Sequence, residues 1–65
     1  MLELEQAQLR ERFTALLAQE QQALKTYEQL LAQAIDPHLR DQIELLCRDK
    51  QRHVELTERL LEIVD

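Results

Sequence analysis

The sequence contains no glycine and no tryptophan, and it has one proline, one cysteine, one phenylalanine and one tyrosine. Each shortage excludes something. Without glycine there is no Gly-rich loop to cradle a phosphate. With only Cys47, no disulfide can staple the fold, and no second thiol stands at zinc-site spacing. A lone thiol fits a reducing, cytoplasmic type of compartment. With only Pro37 as a breaker, the chain is punctuated once, near its middle. No apolar run approaches transmembrane length, and the start, Met1-Leu2-Glu3-Leu4-Glu5, has no hydrophobic signal core. The expectation is a soluble, cytoplasmic chain that is neither secreted nor membrane-bound. Positive charge is also in short supply. Eight Lys and Arg stand against 13 Asp and Glu, a net charge of −5, and the basic residues are scattered among acidic ones. That is a poor footprint for nucleic acid. No Ser/His/Asp constellation for nucleophilic catalysis is visible.

What the chain does contain points to helices. At 65 residues it is a single domain with a thin core, and folds of this size usually lean on a staple or a partner. Apolar residues make up 45% of it, which argues against disorder. Leu, Ala, Gln, Glu and Arg, all strong helix formers, dominate two periodic segments, about 4–34 and about 37–64. Between them lies Ile35-Asp36-Pro37. Proline disfavours a helical residue before it, so Asp36 leaves the first helix and is placed to cap the second, with Pro37 at its first position. So short a connection folds the helices back antiparallel.

A 4-3-4-3 spacing picks out Leu9, Phe13, Leu16, Glu20, Ala23, Tyr27, Leu30 and Ala34 in the first helix. In the second it picks out Leu39, Ile43, Leu46, Lys50, His53, Thr57, Leu60 and Val64. These are heptad-like seams, the pattern of left-handed bundle packing. Folded at Asp36-Pro37, the seam is apolar at both ends and polar in the middle, where Glu20, Lys50, His53 and Thr57 converge. Charge inside a bundle must pair, bind something or reach water. Leu17, Leu24, Leu31 and Ile35 flank the first seam, and Leu45, Cys47, Val54, Leu56, Leu61 and Ile63 the second. One hairpin cannot cover all of these, so the fold expected is an all-α antiparallel two-helix hairpin that dimerises into a four-helix bundle. The partner expected is a second copy, as a dimer or a larger homo-oligomer.

Glu20 and His53 are the sharpest pair for chemistry, since a carboxylate and an imidazole facing each other in a bundle can share a divalent metal. The stretch from about Leu16 to Leu61, LAQEQQALKTYEQLLAQAIDPHLRDQIELL followed by RDKQRHVELTERLL, resembles the rubrerythrin-like branch of the ferritin-like superfamily. In layout it is most similar to the two-helix encapsulated ferritins. Glu20, with Tyr27 seven residues on, resembles that family's first-helix Glu and its tyrosine. His53 matches the His of its Glu-x-x-His pair. Lys50 stands where the family has the Glu. The resemblance implies a ferritin-like four-helix bundle, iron or manganese as the metal, and iron oxidation and storage or peroxide reduction by oligomers. An encapsulating shell protein as a partner is implied in the same way.

Lys50 has two readings. Its ammonium can take the metal's place and pair with Glu20 or Asp49, giving a metal-free ionic core. Alternatively Lys50 snorkels outward and Asp49, four residues before His53, supplies the second carboxylate. The tentative metal set is therefore Glu20, His53 and Asp49, with Tyr27 nearby. Tyr27 reads equally as an aromatic core residue, Cys47 as a small buried hydrophobe and His38 as a solvated side chain. Three functions follow. The chain is a self-assembling ferritin-like hairpin with a degenerate or weakened metal centre and a structural or interaction role. Or it is an iron-binding ferroxidase or storage protein of the encapsulated-ferritin type. Or it is a helical adaptor without that ancestry. Whether it is an enzyme is left open at this stage.

Overall fold

A computed structural model describes residues 3–64; Met1, Leu2 and Asp65 lie outside them. Two helices, α1 (Glu3–Gln33) and α2 (Pro37–Val64), form an antiparallel hairpin, and the described residues contain no strand. Neither helix contains glycine or an internal proline, so nothing interrupts the ladder of backbone hydrogen bonds. Glu3 and Glu5 sit in the first turn of α1, where negative charge favours the helix dipole. Among the described residues no helix is long and apolar enough to cross a membrane.

The turn follows from its chemistry. The Asp36 carboxylate accepts the Leu39 backbone N–H at 3.0 Å, which caps the start of α2, while Pro37 occupies the first helical position. The last turn of α1 holds no basic residue, so a side chain of α2 does the capping instead. Arg40 reaches back and donates from Nη1 to the carbonyls of Leu31 and Ala34, both at 3.0 Å. At the far end the roles reverse. Gln6 and Arg10, both on α1, donate to the Val64 carbonyl at the end of α2. Each helix therefore satisfies a terminal carbonyl of the other.

The core is thin. Among the described residues Ile43, Val54, Thr57 and Val64 are buried, all of them on α2, and no side chain is fully enclosed. Thr57 is tolerated there because its hydroxyl donates to the His53 carbonyl one turn back, at 2.7 Å. The phase of the seam differs from the expected one. Leu17, Leu24 and Leu31 on α1, and Cys47 and Leu61 on α2, are half-buried, whereas Leu16, Leu30, Leu39, Leu46 and Leu60 are exposed. The contact line therefore runs through Phe13, Leu17, Glu20, Leu24, Tyr27, Leu31 and Ala34, and through Ile43, Cys47, Lys50, Val54, Thr57, Leu61 and Val64. It is still a 4-3-4-3 pattern, turned by part of a residue so that one set of leucines moves inward and the other outward.

Candidate functional site

The polar centre of the seam forms around Glu20. This residue lies on α1 between Leu17 and Leu24, and its side chain is only 17% exposed. Lys50, on α2, donates from Nζ to Glu20 Oε2 at 3.2 Å, with its side chain 27% exposed. His53, one turn further along α2, places Nδ1 at 3.4 Å from that same oxygen. One carboxylate oxygen thus receives two nitrogen groups from the facing helix. The positions explain why. Glu20, Lys50 and Thr57 belong to the central line of contact, and His53 stands roughly 60° to one side of that line, so its imidazole reaches in from an exposed flank. No buried side-chain polar atom among the described residues lacks a partner.

The other residues singled out in the sequence are placed as follows. Asp49 does not join the cluster. Its carboxylate is 60% exposed and lies 3.7 Å from Arg52 Nη2, on the outer face of α2. Tyr27 is half-buried, one helical heptad from Glu20, within the apolar half of the seam nearer the turn. His38 is exposed. Cys47 is half-buried, and burial pushes its thiol pKa above the ordinary cysteine value, with the negative charges of Glu28 and Glu44 adding to the rise.

Whether these residues fit a metal turns on the donor set. A divalent ion needs several anionic or neutral donors free to turn toward it. Among the described residues Glu20 and His53 are the two such groups at the centre, and the Lys50 ammonium contacts the same carboxylate oxygen that faces His53. Among the described residues no three His, Cys, Asp or Glu side chains come together as a metal-binding group.

Comparison with protein families, curated proteins and solved structures returns no match to this chain. The ferritin-like resemblance therefore rests on Glu20, Tyr27, His53 and the Asp36-Pro37 turn. Sequence reading missed the capping roles of Gln6, Arg10 and Arg40. The signal for Arg40 is available in principle, since a basic residue one turn into α2 is the nearest donor to the uncapped end of α1.

Proposed function

We propose that this chain is a self-assembling, ferritin-like helical hairpin in which an ion pair stands where a divalent metal would otherwise sit, and that its role is structural or one of interaction. The observation that carries this reading is the 3.2 Å contact between Lys50 Nζ and Glu20 Oε2 in the middle of the seam. A metal ion and an ammonium compete for one carboxylate. A divalent ion about 4 Å from an ammonium is repelled by about 8 kcal/mol at an effective dielectric near 20, twice the value for two unit charges, which opposes metal uptake.

The alternative is an iron-binding ferroxidase or storage protein, and one observation favours it: His53 Nδ1 already lies 3.4 Å from Glu20 Oε2, so two ligand-type groups are adjacent. Substituting Lys50→Glu separates the readings. The variant then holds Glu20, His53 and a second carboxylate, crowded unless a cation neutralises them. Adding ferrous or manganous ion under anaerobic conditions should raise the melting temperature of the variant by roughly 5 °C or more at concentrations well above Kd, and leave the parent unchanged. Tight binding of two iron ions per pair of parent chains, with ferroxidase activity, would replace the structural reading with the enzymatic one.

A further inference from the structure

We infer that one particular face of the hairpin is the surface on which a second copy docks, and that the second copy closes the Glu20–Lys50–His53 cluster off from water. The inference deepens the self-assembly reading above and rests on it. The face is defined by Leu16, Leu30, Leu39, Leu46 and Leu60, which are between 38% and 51% exposed. Leu16 and Leu30 fall fourteen residues apart on α1, and Leu39, Leu46, His53 and Leu60 follow one another at intervals of seven on α2. Both columns stand roughly 60° from the line of contact between the helices, and antiparallel packing turns them to the same side of the hairpin. On the other side, Leu17-Leu24-Leu31 and Cys47-Val54-Leu61 belong to the line of contact itself and are half-buried or buried by the hairpin.

The area fits one occupant. A compact monomer of 7.8 kDa should expose about 4,400 Å². The hairpin exposes 5227 Å². The surplus is on the order of 800 Å², about one partner's share of a standard specific interface. A second copy offers the same length and the same seven-residue spacing of leucines, so the face is self-complementary, as a two-fold pairing requires. His53 is the one polar member of the column, with its side chain 43% exposed, and it lies near mid-length of the hairpin, opposite Glu20. Stacking two such faces in full overlap is possible with the two-fold axis along the hairpin or across it. Either axis brings the two clusters to the same level. The open side of each cluster, where His53 meets solvent, is then covered by the partner.

Two measurements test this on the full chain. The mass in solution is followed by sedimentation for the parent, for Leu46→Lys, Leu60→Glu and their combination, and for Leu45→Lys as a control on the outer side of α2. The first set should raise the dissociation constant by roughly 30-fold or more, and the control should change it little. In case the charged variants unfold, single thiols are placed at position 46 or 45 in a Cys47→Ser background and alkylated at high and low protein concentration. Leu46→Cys should be shielded when concentrated and reactive when dilute, and Leu45→Cys reactive at both. A monomeric parent overturns the self-assembly reading and this inference together. An oligomeric parent in which position 46 reacts like position 45 when concentrated, or in which both face variants keep the parent mass, overturns the face alone.

Discussion

At the scale of single residues, the centre of this protein is one oxygen atom. Glu20 Oε2 holds both Lys50 and His53 in a seam that is otherwise mostly apolar. Ion pairs of this kind are weak sources of stability, because removing the charges from water offsets most of their attraction. The expected outcome is therefore asymmetric. Lys50→Leu alone leaves a largely covered carboxylate with only His53 beside it and should lower stability to urea by about 1–2 kcal/mol, whereas Glu20→Leu with Lys50→Leu should equal or exceed the parent. A double replacement that unfolds the chain would show that the pair specifies the hairpin. Cys47 offers a second check. Its thiol pKa is raised in the folded chain by burial first and by Glu28 and Glu44 second. The neutral thiol is thus the form the fold prefers. Its contribution is fully present below the pKa of the unfolded thiol, about 8.5, and is lost as pH rises through the higher folded value. Alkylation of the folded chain should need more alkaline solution than alkylation in urea, and Cys47→Val should flatten the alkaline loss of stability.

At the scale of the elements, both helices depend on donors supplied by the other. Arg40 is the clearest case, since from α2 it serves the Leu31 carbonyl in the last turn of α1 and the Ala34 carbonyl just beyond that helix. Arg40→Ala should cost about 1–2 kcal/mol in a urea titration, and hydrogen exchange should quicken at the end of α1 more than along α2. The break at Ile35-Asp36-Pro37 and the antiparallel return were legible in the sequence, because proline and an N-cap residue act locally. The meeting of Glu20 with Lys50 and His53 was legible too, since a short turn fixes register to within a residue or two. The rotation of each helix was not. Leu16-Leu17, Leu30-Leu31, Leu45-Leu46 and Leu60-Leu61 are adjacent apolar pairs, and either member satisfies a heptad. Packing chose Leu17, Leu31 and Leu61, and brought Val54 in beside Ile43, which turned Leu16, Leu30, Leu46 and Leu60 out, while Leu45 is exposed as well. The same rotation sent Asp49 to the outer face with Arg52.

At the scale of the whole molecule, the hairpin is a rod of 51 × 13 × 10 Å. Its radius of gyration, 15.2 Å, exceeds the roughly 11 Å expected for a compact chain of this length. Small-angle scattering should therefore report whether copies associate, and how. Face-to-face pairing keeps the long dimension near 51 Å and thickens the cross-section, while end-to-end pairing lengthens the particle. A concentrated sample whose maximum dimension doubles would speak against side-by-side assembly.

The single sharp turn also sets the order in which this rod can form. Contacts beside the turn, such as Arg40 with Ala34, close a loop of sequence separation 6, whereas Gln6 with Val64 spans 58. Made directly from the open coil, the distant contact would cost about 2 kcal/mol more in loop entropy than the near one. Reached by zipping, it costs almost nothing extra, because every earlier contact has already drawn the ends together. The chain is thus built to close from its turn toward its termini, one heptad after another. The charged centre where Lys50 meets Glu20 lies midway along that path.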